Sequence, residues 1–185
     1  MRDIKRRRSS IQSTGQITRA MKLVATVKLQ KAREKAEHTR PYSDGVYQTM
    51  QSILERSAGI SHPYLQGGAN PRKAVIVMTS NRGLAGGYNA NVVKLITQGN
   101  FDLKELDIYA VGKKGKDALQ RAGCKISLDC SDICEEPTYA DAAALGRRVL
   151  TSFAQGEVGE IWLAYTSFIN TVVHEPRLIR LLPVS

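Results

Sequence analysis

Apolar residues recur along the first 57 residues at intervals near three, four or seven, which forms one narrow stripe. Between Asp3 and about Ser57 the interruptions are few: one proline, Pro41, and two glycines. This spacing predicts a helix of about 55 residues and ~80 Å. A stripe this narrow favours a coiled-coil seam, which needs a second helix. The stripe consists of Ile4, Ile11, Met21, Ala25, Ala32, Val46, Met50 and Ile53, broadened by Ile17, Val24 and Ala36. Pro41 is expected to kink this helix or remove one hydrogen bond.

The remainder alternates short β-branched runs with helical spacing, after a loop rich in Gly and Pro. Such alternation predicts a mainly parallel sheet in a three-layer, Rossmann-like α/β domain. The expected fold class is therefore α/β with a long N-terminal helix, divided into helix 1–58, linker 59–72 and domain 73–185. We expect strands at 73–80, 107–112, 125–128, 160–168 and 177–184, the last two antiparallel, and helices at 89–98, 114–122 and 141–155.

Charge separates these two regions. Residues 1–40 contain twelve Lys and Arg and three acidic residues, so they carry +9 of the total +10. This favours a part that reaches along an acidic partner. A solvated basic face is the plainer alternative, and a nucleic-acid-binding helix is another. Against the latter, no aromatic residue lies among these charges before Tyr42, so single strands have no stacking platform.

Candidate chemistry is sparse. The turn Asn81–Tyr88 is rich in glycine but lacks the Gly-Lys-Ser/Thr of a phosphate loop, and its G-x-x-G-G spacing is not the dinucleotide fingerprint. A structural turn is the favoured interpretation, and a small α/β enzyme using it is the alternative. Cys124, Cys130 and Cys134 are an odd number of thiols, expected to be reduced, with a Cys130–Cys134 redox pair as a minor alternative. We expect no cofactor and no metal. No signal-peptide core and no apolar run of about 20 residues is present.

Two segments together resemble the gamma subunit of F-type ATP synthases. The first is Ile17–Leu29, which resembles that family's N-terminal helix signature, and the second is Thr79–Asn89, which resembles its strand-turn motif. The opening Ile4-Lys-Arg-Arg, Arg40-Pro-Tyr and the segment Glu175–Pro183 fit as well. The resemblance covers essentially the whole chain in order.

This resemblance implies a rotor in the central stalk, a non-catalytic subunit that couples proton translocation to ATP synthesis or hydrolysis in the alpha/beta ring. It implies contacts with the alpha and beta subunits, the epsilon subunit and the membrane c-ring, and none with nucleic acid. It also implies a peripheral position on the cytoplasmic side of a membrane, the bacterial plasma membrane first. The residues carried over as partner contacts are Ile17, Thr18, Arg19, Met21, Lys22, Lys28 and Arg82.

One departure from the family concerns length. The family's chain continues beyond this point into a C-terminal helix that pairs with the first one, so we expect a truncated form or fragment. A helix supplied by another chain and a degenerate copy are the alternatives. Without that partner, the apolar stripe is expected to make the lone helix fray or self-associate.

Overall fold

The computed structural model describes residues 2–56 and 59–184. The chain divides into two compact units, Met1–Ile60 and Ser61–Ser185. The first unit consists of one helix, and the second is an α/β domain. No residue of the helix is buried, whereas the α/β domain has buried hydrophobic clusters.

Helix α1 covers Arg2–Arg56, which is 55 residues, and none of its residues is buried. It continues through Pro41, where the missing N–H removes one intrahelical hydrogen bond. Helix formers dominate its middle part, so local propensity favours the helical conformation there. Among the described residues, no helix combines the length and the hydropathy that a membrane span requires. The predicted long helix is thus present.

The second unit begins with a short helix, α2, at Pro63–Gln66, where the sequence predicted a loop. The strands and helices that follow lie within a few residues of their predicted positions. The strands are β1 Lys73–Met78, β2 Leu106–Val111, β3 Lys125–Asp129, β4 Glu160–Phe168 and β5 His174–Leu182. The longer helices are α3 Tyr88–Thr97, α4 Lys113–Arg121 and α5 Tyr139–Ala154. Two 3-10 turns lie at Leu103–Glu105 and Ser131–Cys134.

The five strands form one sheet in the order β3-β2-β1-β4-β5. Four of them are parallel, and β5 pairs antiparallel with β4. Two hydrophobic clusters cover the two faces of the sheet. Val92, Ile96 and Leu119 from α3 and α4 pack in one cluster, and α5 packs in the other. The three-layer α/β fold with a mainly parallel sheet is confirmed.

Ion pairs of alternating sign cross the strands at the amino edge of the parallel sheet. Asp107 on β2 is 6% exposed and forms ion pairs with Arg72, just before β1, and with Lys125 on β3. Lys73 on β1 pairs with Glu160 on β4 at 2.8 Å. Burial by itself would raise the pKa of Asp107, but the hydrogen bonds and charges of Arg72 and Lys125 outweigh it and hold that pKa below its ordinary value. These pairs depend on strand register, so the sequence alone did not predict them.

Candidate partner-contact surfaces

Six of the seven predicted contact residues lie on α1 between Ile17 and Lys28, and we call them the helix contact set. All six are exposed. At about 100° per residue, Ile17, Met21 and Lys28 fall within ~40° of one another around the helix axis. Lys22 lies roughly 140° from Ile17, and Arg19 roughly 200°. The structure therefore does not gather the set on one face, and its three cations are spread over about half of the helix circumference.

Thr18 differs from the other members because its hydroxyl is already satisfied. Its Oγ1 donates to the carbonyl oxygen of Thr14 at 2.9 Å, within the same helix. The same back-bonding occurs at Thr39, whose hydroxyl donates to the Lys35 carbonyl at 2.7 Å. The outward surface of each threonine is then mainly its methyl group. Thr18 thus has no free hydroxyl proton to donate to a partner, and its methyl group is available for packing.

Thr18 also belongs to a strict seven-residue repeat that the sequence reasoning did not separate from the broader stripe. Its members are large at both ends of the helix and small in the middle. None is buried, and Ile4 and Ile11 are 73% and 69% exposed. A seven-residue period is the one that keeps a seam facing a second helix. The repeat comprises Ile4, Ile11, Thr18, Ala25, Ala32, Thr39, Val46 and Ile53.

The cations of the helix contact set are free to meet an external acid. Within residues 2–56, Arg33 pairs with Glu37 across one turn at 2.7 Å. Arg19, Lys22 and Lys28 have no such ion pair to any described residue. An unpaired cation on an exposed helix interacts with a carboxylate partner through screened, moderate attraction. This electrostatic character suits a contact that has to be made and released.

The seventh predicted residue, Arg82, lies in the turn Asn81–Tyr88, which we call the glycine turn. Two side chains just before and at its start fix it to α4. Buried Thr79 donates its hydroxyl to the Gly112 carbonyl at 3.1 Å and accepts the Gly115 N–H at 2.9 Å. Asn81 accepts the Lys113 N–H at 3.0 Å and donates to the Ser131 carbonyl at 2.7 Å.

These bonds also decide what the N-terminus of α4 is able to bind. The N–H of Lys113 donates to Asn81, that of Lys114 to the Ser80 carbonyl, and that of Gly115 to Thr79. A helix N-terminus binds phosphate through such first-turn N–H groups. Here the protein itself uses them, which supports the structural interpretation of the glycine turn over a nucleotide site.

The far end of the glycine turn is fixed by Asn89. Its side-chain oxygen accepts the Ser80 N–H at 2.8 Å, and its amide nitrogen donates to the Ser80 hydroxyl at 2.9 Å. The Ser80 hydroxyl in turn donates to the Arg82 carbonyl at 2.6 Å. The turn is consequently held from both ends, so the side chains that it displays have defined positions.

Leu84 is the residue that the glycine turn displays most prominently. It is 99% exposed and has a φ of 62°, a left-handed conformation that costs a leucine about 1–2 kcal/mol. Arg82 beside it is also exposed and lies 3.4 Å from Glu135 in a surface ion pair. Neither burial nor backbone geometry favours leucine at this position. Strain of this kind in an ordered turn indicates a functional role.

Lys114 adds a second cation to the exposed surface beside Leu84. Its Cε lies 3.9 Å from the position of a Cβ built on Gly83. The exposed surface here therefore combines an apolar side chain with two cations, Arg82 and Lys114. Sequence reasoning singled out Arg82 but missed Leu84 and Lys114, because only the backbone angle and the packing of α4 reveal them.

The remaining polar chemistry of the domain is structural. All three cysteines are free thiols, and burial is the main reason that the pKa of each is raised. The Cys134 thiol donates to the Thr79 carbonyl at 3.2 Å. Thiols held protonated in this way are poor nucleophiles. No group of three or more His, Cys, Asp or Glu in the described part of the chain is arranged to hold a metal ion.

Comparison with known proteins gives a consistent picture. A family model described as ATP synthase matches residues 1–185. An ATP synthase gamma chain of Lachnoclostridium phytofermentans is 59% identical over 184 residues, which span 100% of this chain and 63% of that protein. The ATP synthase gamma chain of Alkaliphilus metalliredigens is 41% identical over 184 residues, 100% of this chain and 64% of that protein. The chain thus spans a little under two thirds of the length of these curated relatives.

A solved structure shares the fold. It is the central stalk and c-ring of the mitochondrial ATP synthase of Tetrahymena thermophila, with a TM-score of 0.68 and 24% sequence identity. The match covers 90% of this chain and 72% of that chain. At this level of identity the likeness bears on the fold.

Proposed function

Because the chain belongs to the ATP synthase gamma-chain family, we propose that it acts in the central stalk of an F-type ATP synthase. In this role it couples proton translocation to ATP synthesis or hydrolysis in the alpha/beta ring. The observation that carries the proposal is α1, a helix of 55 residues without one buried residue. A helix of ~80 Å that stays unburied is suited to standing inside a surrounding partner.

The charge distribution supports a rotor more than a fixed plug. Cations spread around α1 meet successive ring subunits from whichever side faces them as the helix turns. Their attraction to carboxylates is moderate and screened, so no single orientation is trapped. We assign Arg19, Lys22 and Lys28 to carboxylates of the alpha and beta subunits. Ile17, Thr18 and Met21 provide the packing contacts between those charges.

We propose that the glycine turn makes a second contact with the alpha/beta ring. Arg82 faces a carboxylate and Leu84 enters a shallow apolar site beside it. Leu84 retains a strained, fully exposed conformation because it contacts a partner subunit and does not stabilise the fold of this chain. The epsilon subunit and the c-ring are the further partners that we propose for the α/β domain.

We assign this subunit no bond chemistry of its own within a complex that is itself an enzyme. First-turn N–H groups of α4 are used internally and the thiols are held protonated. We propose that the subunit lies on the cytoplasmic side of the membrane, peripheral to it. A relative in Acetobacterium woodii, 36% identical over 185 residues and covered to 61% of its length, is named as sodium ion specific, so both ions are included in the tests.

Reconstitution tests the proposal directly. The chain is mixed with alpha and beta subunits, and complex formation is measured by gel filtration together with ATP hydrolysis. We expect a stable complex with turnover. Reversing charge at Arg19, Lys22 and Lys28 to Glu should weaken assembly or turnover at least about tenfold, since each close charge pair at an interface contributes on the order of a kcal/mol or more.

The matched control reverses three exposed cations of the α/β domain, Lys94, Arg147 and Arg148, which have no assigned contact. It keeps the net charge of the triple variant and should assemble like the unmodified chain. Equal loss in both variants would reduce the effect to net charge and contradict a specific helix contact. Tight binding to duplex or single-stranded DNA at ~0.15 M salt, with no complex formed, would support the nucleic-acid alternative instead.

A further inference from the structure

The segment that joins α1 to the sheet is fastened at several points to the α/β domain. We define residues 62–72 as the junction. They lie between the end of α1 at Arg56 and the start of β1 at Lys73. Any force that passes along the chain from the helix into the sheet must enter through them.

Asn70 makes the central attachment. Its side-chain nitrogen donates to the carbonyl oxygens of Gly156 and Glu157 at 2.9 and 3.0 Å. Its side-chain oxygen accepts the Arg72 N–H at 3.0 Å. One amide side chain thus ties the junction to the loop between α5 and β4, which is more than 80 residues away along the chain (86 and 87).

Close backbone packing reinforces this attachment. The Gly68 N–H donates to the Gly159 carbonyl at 3.0 Å, and the Gly159 N–H donates to the Arg72 carbonyl at 2.8 Å. A Cβ on Gly159 would lie 2.1 Å from the Asn70 carbonyl oxygen. Only glycine permits this approach, so the two segments are fitted to each other rather than adjacent by chance.

A third attachment reaches the end of the sheet's outer strand. The Val184 N–H, just after β5, donates to the Tyr64 carbonyl at 2.8 Å. The Tyr64 ring packs edge-to-face on Phe153 of α5, with ring centroids 5.9 Å apart. The junction is therefore bound to the segment before β4, to α5 and to the segment after β5.

We propose that the junction is the element that passes load along the chain between α1 and the sheet, with Asn70 as its positioning residue. This inference rests on the proposed rotor function. Without the attachments, a pull on α1 would act on the first residues of β1 alone. With them, the pull is shared with the start of β4 and the end of β5. Local opening of the junction then decides how much load the subunit transmits before it yields.

The test uses the complete ATP synthase, reconstituted in sealed vesicles, with Asn70→Ala in this chain. ATP hydrolysis and ATP-driven uptake of protons or sodium are measured together, against an increasing opposing ion gradient. We expect hydrolysis close to that of the unmodified complex, and an uptake per ATP that falls progressively as the gradient grows. A variant that merely assembles less well lowers both rates equally at every gradient.

Asn170→Ala is the matched control. The Asn170 side chain likewise hydrogen-bonds to backbone groups, since its oxygen accepts the N–H groups of Val172 and Val173, but it organises only the local turn between β4 and β5. This variant should keep its uptake per ATP at every gradient. Hydrogen exchange in the same complexes reports the junction itself. Asn70→Ala should speed exchange at Gly68, Arg72 and Gly159 by about 10- to 100-fold, because three hydrogen bonds that hold this segment closed are lost.

Each outcome is decisive. If the unmodified chain neither assembles nor pumps, the rotor function fails and the inference with it. If the unmodified complex pumps, and Asn70→Ala opens the junction yet keeps full uptake per ATP at every gradient, the inference is wrong and the rotor function stands. If Asn70→Ala does not fold, Asn70→Asp replaces it, because the carboxylate retains the acceptor for Arg72 and loses the two donations. That variant should show the same load-dependent loss, and normal coupling in it would overturn the proposal.

Discussion

The long helix and the α/β domain contain similar apolar side chains, which are exposed to solvent in the helix and buried in the domain. In the domain, residues such as Ile108, Leu119 and Val77 are fully buried. In α1, Ile4, Ile11 and Leu23 remain more than two-thirds exposed, at 69–73%. The domain gains its stability from its own core, whereas the helix presents its apolar stripe and its charges to whatever surrounds it. Identical substitutions are therefore expected to have different consequences in the two regions.

The largest contrast involves two glycines. Gly112→Ala should destabilise the domain by about 4 kcal/mol or more, since a positive φ of 104° and a Cβ placed 2.1 Å from the Thr79 carbonyl oxygen add strain to overpacking. Gly15→Ala in α1 meets nothing within 4 Å and should stabilise the helix by up to ~1 kcal/mol. Chemical denaturation followed by circular dichroism measures both. Similar changes in unfolding free energy for the two variants would contradict the difference between the packed domain and the exposed helix.

A cavity substitution gives the next contrast. Ile108→Ala removes a fully buried side chain and should cost about 2–5 kcal/mol of unfolding free energy. Ile11→Ala, at a site that is 69% exposed, should stay within about 0.5 kcal/mol in the dilute monomer. Urea midpoints of the two variants check this. A large cost for Ile11→Ala would mean that the helix already has a partner, such as a second copy of the chain.

Acid should affect the domain through Asp107. Because its folded pKa lies below the unfolded value, its contribution is complete above about pH 3.9 and is lost as pH falls through the folded pKa. Asp107→Asn should cost about 1–3 kcal/mol at pH 7 by leaving Arg72 and Lys125 with a neutral partner. The cost should shrink as the pH drops below 4. Thermal unfolding at a series of pH values measures this, and a pH-independent difference would rule out the charge explanation.

A small effect on stability is also expected at Leu84. Leu84→Gly relieves left-handed strain but frees the unfolded chain, so unfolding free energy should change by less than about 1 kcal/mol. Affinity for the alpha/beta ring should nevertheless fall, which a titration against the ring measures. This variant sharpens the comparison, because it separates a residue kept for a partner from residues kept for the fold. Unchanged affinity would remove Leu84 from the proposed contact.

Much of the architecture could be predicted from the sequence because it depends on neighbours within a turn or a strand. The apolar spacing and the scarcity of proline and glycine specified α1 to within about two residues at each end, with Arg2–Arg56 observed. The apolar run at 73–78 specified β1, and the alternation of strands and helices specified a mainly parallel sheet. The motifs Ile17–Leu29 and Thr79–Asn89 were sufficient to indicate the family, because each is a contiguous run of residues.

Other features exist only because the fold brings distant residues together. The junction depends on Asn70 meeting Gly156, and the amino edge depends on the register that sets Asp107 beside Lys125. The left-handed Leu84 depends on a turn fixed by Asn81 and Asn89. Propensity and periodicity act locally, so they specify elements. Strand order, register and close backbone approach are set by packing the whole domain, which is why tertiary structure alone decided these contacts.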